Sequence, residues 1–222
     1  MGEKRRGRAL TAFLVVAVGA SGAACGTDPE SPPSPYVNAA EVCEGLFAGR
    51  LEGTVQAVAG GTVFHRDEGD GLGKVIEKVE EYYASGRSWS AKQKLCDVSI
   101  KGAFYNTGTE ISFSIYAPSD VGDPRNPEGV RRFLLGREAV ASARGAGLYF
   151  ECVSPKLEGS ERFPARIRGG LRKAKDRGRA VENLTANLTV LHAASLAVAK
   201  ELECEGNGGL PEKLDPGMKP LS

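Results

Sequence analysis

The spacing of apolar residues changes twice along the chain, and this change restricts the fold more than any other feature. From Gly73 to Ala84 apolar residues recur at helical spacing, whereas from Cys96 to Ile115 they alternate with polar residues. Helical spacing returns beyond Ala180 in a regular apolar stripe. The stripe consists of Val181, Leu184, Leu188, Leu191, Ser195, Val198 and Leu202. A period of 3.6 indicates a helix with one buried face, and a period of two indicates a half-buried strand.

These periods predict the order of the elements. Two short helices are expected over residues 39–48 and 54–59, before the amphipathic helix at 73–84. An antiparallel hairpin is expected around the turn at 106–108. Further strand-like stretches cover residues 132–142, 147–153 and 163–170. N-terminal helices, an antiparallel sheet and a long C-terminal helix packed against it predict an α+β fold, a two-layer sandwich.

The N-terminus has the pattern of a secretory signal peptide. The first eight residues carry a local charge of +3, and the 12-residue apolar run Ala9–Ala20 that follows has no charged side chain. Such a run reaches about 18 Å as a helix, which is shorter than the roughly 30 Å hydrocarbon core of a bilayer. We therefore interpret residues 1–24 as a signal peptide and not as a transmembrane anchor.

Cys25 follows the small residues Gly22, Ala23 and Ala24. This sequence resembles the lipobox of bacterial lipoproteins, in which the cysteine receives a diacylglycerol and becomes the first mature residue. The family usually has a larger apolar residue where Gly22 stands. The resemblance implies lipidation of Cys25 and a position on the outer face of the bacterial cytoplasmic membrane, with that membrane as a partner. Ordinary cleavage after Ala24, giving a secreted protein, is the alternative.

The remaining cysteines form an even set: Cys43, Cys96, Cys152 and Cys204. In an exported protein such a set is normally oxidised. Of the three possible pairings we favour Cys43 with Cys96 and Cys152 with Cys204, which close loops of 53 and 52 positions. No pair has CxxC spacing, so the pattern supports neither redox catalysis nor structural zinc.

Composition divides the mature chain into a tether, a domain and a tail. Residues 25–37 are rich in proline and are predicted to form an extended tether. We predict a single α+β extracytoplasmic domain over residues 38–205 and a flexible tail over residues 206–222. Removal of residues 1–24 leaves 25 basic and 27 acidic side chains, a net charge of −2. No global positive field therefore favours nucleic acid as a partner.

The motifs that could carry chemistry are weak. The segment 69–74 opens a helix but lacks the first glycine and the Ser or Thr of a phosphate loop, and we interpret it as a loop with Asp70 near the helix N-cap. The acidic residues 67–70 lack the spacing of a calcium loop. His192 and Ser195 share one side of the C-terminal stripe, where packing explains both better than catalysis. We therefore predict no catalytic residue, no metal site and no cofactor.

The strongest charge asymmetry lies between Arg162 and Arg179, a segment with eight basic residues and one acid, which we call the basic run. Arg166 and Arg168 share one face of a strand and could grip the oxyanions of an anionic envelope polymer or of lipid head groups. A solvated strand edge is the alternative. The candidate binding residues are Arg162, Arg166, Arg168, Arg172 and Lys173. The run lacks interleaved aromatic residues, so a base-stacking site is not expected.

Several segments together, "VCEGLF", "LCDVSI", "LYFECVSP" and "LHAASLAVAKELECEGNGGLP", resemble a group of lipoproteins of high-GC Gram-positive bacteria whose activity is unassigned. The resemblance covers most of residues 37–211 and implies localisation and fold without an activity. We expect a membrane-anchored binding or interaction module of the cell envelope, not an enzyme. The alternatives are an envelope or secreted hydrolase with unrecognised catalytic residues and a structural accessory of an envelope complex.

Overall fold

An antiparallel sheet covered on one face by helices forms the fold. The computed structural model describes residues 34–67, 70–103, 108–122, 129–174, 176, 180–215 and 217–221. The strands are β1 (Tyr36–Val37), β2 (Phe64–His65), β3 (Gln93–Val98), β4 (Thr109–Ile115), β5 (Arg131–Phe133), β6 (Glu138–Ser142), β7 (Gly145–Cys152) and β8 (Ala165–Lys173). The helices are α1 (Glu52–Ala59), α2 (Gly71–Ala84) and α3 (Val181–Glu201).

Six of these strands form the main sheet in the order β3-β4-β8-β7-β6-β5, with every neighbouring pair antiparallel. The hairpin predicted from alternating residues is confirmed as the β3–β4 pair. Strand β8 lies between β7, the strand before it in sequence, and β4, which is about 50 residues away, so a long-range pairing sets the centre of the sheet. The short strands β1 and β2 form a separate two-stranded ribbon.

Helix α3 packs across β6, β7 and β8 with its predicted apolar stripe against the core. Leu184, Leu188 and Leu191 are buried, and so are Ser195 and Val198 further along the same stripe. Helices α1 and α2 contact α3 and contribute to the same hydrophobic cluster. The predicted α+β architecture, a sheet layered with a long C-terminal helix, is confirmed. Within the described part of the chain, no helix is both long and apolar enough to cross a membrane.

The helix predicted over residues 39–48 is not formed. A short 3₁₀ turn occupies Val42–Gly45, and within it Cys43 and Glu44 have left-handed backbone angles, with φ of 51° and 60°. In this conformation Cys43 is bonded to Cys96, and the Glu44 carboxylate accepts a hydrogen bond of 3.0 Å from the backbone N–H of Leu72. These tertiary bonds override the local helical pattern.

Both favoured disulfides are present. Cys43 is bonded to Cys96, with Cα atoms 5.4 Å apart, and Cys152 is bonded to Cys204, with Cα atoms 4.9 Å apart. The first joins the N-terminal turn to β3, and the second joins the end of β7 to the residues that follow α3. Each bond therefore fixes a helical segment to the sheet.

The compact unit of the chain includes residues on both sides of 38–205. Chain from Ser34 onward forms one compact unit, so the domain begins with β1 before residue 38, and residues 1–33, with the predicted signal peptide and Cys25, lie outside the described residues. The segment after Glu205, predicted as a flexible tail, packs on the domain in its described part. Leu210 is buried in the core, and the backbone N–H of Leu221 donates to the carbonyl of Arg132 in edge strand β5 at 2.7 Å.

Candidate anion-binding groove

The alternation of β8 separates its basic side chains between the two faces of the sheet. Ile167, Gly169 and Leu171 are buried on the face covered by α3, whereas Arg166 and Arg168 are less buried and lie on the opposite face, which we call the outer face. Arg172 is exposed and follows on the same outer row. The predicted shared face of Arg166 and Arg168 is therefore confirmed.

Lys173 does not belong to this surface, which corrects the prediction that grouped it with the arginines. Only 4% of the residue is exposed, and its Nζ donates a hydrogen bond of 3.1 Å to Oδ1 of the buried Asn187 of α3. The reason is strand geometry, since successive residues point to opposite faces and Lys173 directly follows Arg172. The run of charge in the sequence conceals this difference.

The four arginines of the predicted set also divide between two places. Arg168 and Arg172 line a groove on the outer face, whereas Arg162 and Arg166 line a separate cleft near the start of β8. The cleft has a volume of about 1200 Å³, and its basic side chains stand beside Glu80, Glu158 and Glu161. Its charge is therefore nearly balanced, and it offers an anion less than the groove does.

The groove, which we call the sheet groove, has a volume of about 270 Å³. Its charged lining residues are Lys92, Glu110, Arg144, Arg168 and Arg172, and its floor includes Gly145, Gly147 and Gly170. Four cations and one carboxylate give the lining a net charge of +3. Such a concave cationic surface favours a negatively charged ligand.

Glycines create the depression. The register places Gly170 of β8 between Ser112 of β4 and Gly147 of β7, with Val140 of β6 next in the row. Serine or glycine therefore occupies adjacent positions on the three strands β4, β8 and β7, which leaves a depression between larger neighbours. A Cβ atom on Gly170 would have no neighbour closer than 3.8 Å, so this glycine is not required by packing. It leaves space above the sheet.

Arg168 is held in place by an aromatic ring. Its guanidinium carbon lies 5.5 Å from the centroid of the Tyr149 ring, its cross-strand neighbour in β7. Tyr149 in turn packs edge-on against Tyr116, with ring centroids 5.1 Å apart. Burial is the main reason why the pKa of Tyr116 is raised to about 12, so its hydroxyl stays neutral at physiological pH. The ring pair gives Arg168 a rigid, uncharged support.

Arg168 also has unused hydrogen-bonding capacity. Its Nε atom is buried and has no hydrogen-bond partner among the described residues. A buried donor without an acceptor is unfavourable, and a ligand oxyanion reaching this donor would remove that cost. Arg172, by contrast, is 3.0 Å from the Glu110 carboxylate and largely exposed. Arg168 is therefore the anchor of the groove, and Arg172 is an exposed cation at its rim, paired with Glu110.

Lys92 and Arg144 were missed by sequence reasoning. Lys92 precedes β3 and Arg144 lies in the turn between β6 and β7, far from the basic run in sequence. Isolated basic residues beside strand ends carry no specific signal. The glycine pairs 145/147 and 169/170 were the only available clue, because glycine within a strand often marks close approach of another group.

The described residues of the sheet groove carry donors that suit the binding of an oxyanion. Among its described lining residues there is no histidine or cysteine, and Glu110, the one carboxylate, is paired with Arg172. A nucleophile with a neighbouring base, as acyl or phosphoryl transfer needs, is therefore not assembled there. Arginine forks and serine hydroxyls, from Ser112 and Ser142, are typical donors to phosphate and carboxylate groups.

The other sequence candidates do not form sites. The position at the α2 N-terminus that a phosphate would occupy holds the Glu44 carboxylate. Asp67 accepts a hydrogen bond from the backbone N–H of Asp97, and Asp70 accepts one from the Gln93 side chain. Across the described residues, no group of three metal-ligating side chains comes together.

His192 and Ser195 also have separate structural roles. The Nε2 atom of His192 is 2.9 Å from the carbonyl oxygen of Pro211, so the ring binds the C-terminal segment. Burial lowers the pKa of His192, which keeps the ring neutral. Ser195 is fully buried against β8. Packing therefore explains this pair, as the sequence analysis expects.

Comparison of the chain with protein-family models, with curated proteins and with solved structures gives no match. We therefore base the functional proposal on the sheet groove, the disulfides and the N-terminal sequence.

Proposed function

We propose that this protein is a lipoprotein of the bacterial cell envelope, held on the outer face of the cytoplasmic membrane by a diacylglycerol on Cys25. The proposal agrees with the resemblance to lipoproteins of high-GC Gram-positive bacteria. The basic and apolar N-terminus and the small residues before Cys25 support export and lipidation. The two disulfides support an oxidising compartment, because such bonds are rare in the cytosol.

The exported domain acts by binding an anionic ligand in the sheet groove, without catalysis. The observation that carries this proposal is Arg168, a rigidly supported guanidinium with a buried, unpartnered Nε atom in a groove of net charge +3. An oxyanion between Arg168 and Arg172 would satisfy that donor and compete with Glu110 for Arg172. Phosphate and carboxylate groups share this chemistry.

Calorimetric titration with inorganic tripolyphosphate tests the binding proposal. We expect Arg168→Gln and Arg172→Gln each to weaken binding by about tenfold, since a charged hydrogen bond contributes roughly 1.5 kcal/mol. Arg131→Gln in edge strand β5 is the matched control, because Arg131 is exposed but does not line the groove. Raising the salt concentration should weaken wild-type binding steeply. Equal losses in all three variants, or no binding at all, would contradict the proposal.

The anchoring proposal has its own test. Intact mass of protein extracted from membranes, before and after reduction, reports acylation of Cys25 together with the number of disulfides. We expect a diacylglyceryl mass on a chain that begins at Cys25, and a gain of four hydrogens on reduction. Replacement Cys25→Ala should abolish the lipid mass. An unmodified chain beginning at Met1 in the cytoplasm would contradict export.

A further inference from the structure

We propose that the sheet groove binds the phosphate of a phospholipid head group in the same bilayer that anchors the chain, so that the Arg172 end of the domain faces the membrane. This inference rests on the proposed function and adds to it the class of ligand and the orientation of the domain. Two observations lead to it: the position of Ser34, and the size and charge of the groove.

The chain enters the domain at the end of the sheet that carries the groove's rim. Val98, Thr109, Arg172 and Gly145 lie in adjoining strands at this end, because the antiparallel register brings them together. The separate ribbon β1–β2 is bonded to the residues that follow β3 at this end, through a bridge between Phe64 and Ile100. His65 donates its backbone N–H to Ser99 at 2.8 Å, and the carbonyl of Ser34 accepts a hydrogen bond from Arg66 Nε at 3.4 Å.

The distance between Cys25 and this end is limited by the chain. Eight residues lie between Cys25 and Ser34, and even a fully extended chain from Cys25 to Ser34 spans only about 30 Å. A lipid on Cys25 therefore limits the distance between Ser34 and the membrane surface to about 30 Å. Arg172 and Arg144, which line the groove, lie at this end together with the exposed Lys101, so a bilayer near this end meets a cationic surface.

The groove also fits the dimensions and charge of a head group. Its volume of about 270 Å³ is at the lower limit for small-molecule sites, so it suits a phosphodiester with a small substituent better than a bulky polymer segment. Its net charge of +3 complements an anionic leaflet, which attracts basic surfaces near it. Ser112 and Ser142 add hydroxyl donors for head-group oxygens.

The opposite end of the sheet carries the large exposed aromatic residues. Trp89 is 66% exposed and Phe163 is 74% exposed. Trp89 precedes Ser90, whose backbone N–H donates to Ile115 at the end of β4 at 3.1 Å, and β4 begins at the groove end. Since Trp89 is the only tryptophan of the chain, its fluorescence reports which end contacts a bilayer.

Vesicle binding tests the ligand. The chain from Gly26 onward, which lacks Cys25, keeps every residue of the hydrophobic core cluster and both disulfides, so it retains the folded unit. We expect it to sediment with phosphatidylglycerol vesicles at least about tenfold better than with phosphatidylcholine vesicles. The double variant R168Q/R172Q should lose this preference, whereas R131Q should keep it. Soluble glycerol phosphate should compete with the vesicles.

Quenching by brominated phosphatidylglycerol tests the orientation. Wild-type Trp89 should not be quenched. A tryptophan placed at the groove end by W89F/K101W should be quenched, because the Lys101 side chain lies 4.5 Å from the Tyr36 ring beside the start of the domain. Quenching of Trp89 without quenching at position 101 would overturn the proposed orientation.

The two proposals fail in different ways. If wild-type protein binds tripolyphosphate through Arg168 but does not bind phosphatidylglycerol vesicles, the head-group inference is overturned and the anionic groove remains. If it binds neither probe, both are overturned. Circular dichroism and the mass of the oxidised chain establish that each variant is folded before these results are interpreted.

Discussion

Gly169 of β8 and Ser195 of α3 are in such close contact that a Cβ atom on Gly169 would lie 2.8 Å from Ser195 Oγ. The same atom would lie 3.0 Å from the Phe113 ring. The absence of a side chain at position 169 therefore allows α3 to approach the sheet. Ser195 is buried, and its Oγ has no hydrogen-bond partner among the described residues, so its small size and not its polarity suits this contact.

Adjacent glycines of β8 should respond differently to alanine. Gly169→Ala should lower the free energy of unfolding by about 1–3 kcal/mol, because the added methyl group overpacks the contact with Ser195. Gly170→Ala should be neutral or slightly stabilising, since its nearest neighbour would be 3.8 Å away. Urea denaturation measures both. Equal destabilisation by the two variants would contradict the contact described for α3.

A side chain that fills the sheet groove should weaken ligand binding without lowering the stability of the fold. Gly170→Val places a β-branched side chain on the groove floor, and we expect it to weaken tripolyphosphate binding at least tenfold by occupying the site. The same change should leave the free energy of unfolding unchanged or raise it by about 0.5–1 kcal/mol, because valine suits a strand better than glycine. Calorimetric titration and urea denaturation on one sample test this. Retained affinity in a folded G170V variant would place the ligand elsewhere.

Loss of either disulfide should destabilise the domain substantially. Each bond closes a loop of just over 50 residues, with sequence separations of 53 and 52, so the chain-entropy model gives about 4 kcal/mol for each. We expect C43A/C96A and C152A/C204A to lower the thermal midpoint by similar amounts. Calorimetry of the two double variants checks this, and a midpoint unchanged in either pair would show that its cross-link is not needed.

His192 should make stability depend on pH in a defined window. Burial lowers its pKa in the folded protein, so the unfolded chain binds the proton more readily. The contribution of neutral His192 to stability is fully present above about pH 6.5, the ordinary pKa of histidine. It is lost as the pH falls toward the lower pKa that His192 has in the folded protein. We expect the free energy of unfolding to decrease between pH 7.5 and 5.5, and to decrease less in His192→Gln.

The carboxylate of Glu212, near His192, affects stability in a lower pH range. The side chain of Lys200 is the main reason why the pKa of Glu212 is lowered from 4.5, so its contribution is present at higher pH and lost only below that value. Urea titrations at pH 7.5, 6.5 and 5.5 therefore isolate His192. An identical pH dependence in wild type and H192Q would exclude this histidine as the cause.

Regular patterns predicted the elements that local sequence controls. The helical spacing of α2 and α3 and the alternation in the β3–β4 hairpin were each long enough to specify structure. The helix predicted over residues 39–48 does not form, because Cys43 and Glu44 are held in left-handed conformations by bonds to distant residues. The packing of the C-terminal segment was not predicted, because Leu210, Leu214 and Met218, which pack on the core, lie among glycine and proline residues that favour an extended chain.

Part of the candidate site could be predicted from the amino-acid sequence. Alternation along one strand correctly placed Arg166 and Arg168 on one face, but it could not show that they line different depressions. Membership of the basic run does not show which face of the sheet a residue lies on, and Lys173 is buried on the α3 face, where it bonds to Asn187. Lys92 and Arg144 reach the groove only through the folding of the sheet.

The amino-acid sequence by itself determined the two periodicities, the even set of cysteines beyond Cys25 and the basic character of β8. Only the tertiary structure decided that β8 pairs with β4 and β7, which brings Gly170 beside Gly147 and opens the groove under Arg168. The physical reason is that side-chain period is a local property of the backbone, whereas strand order depends on contacts between segments far apart in the chain.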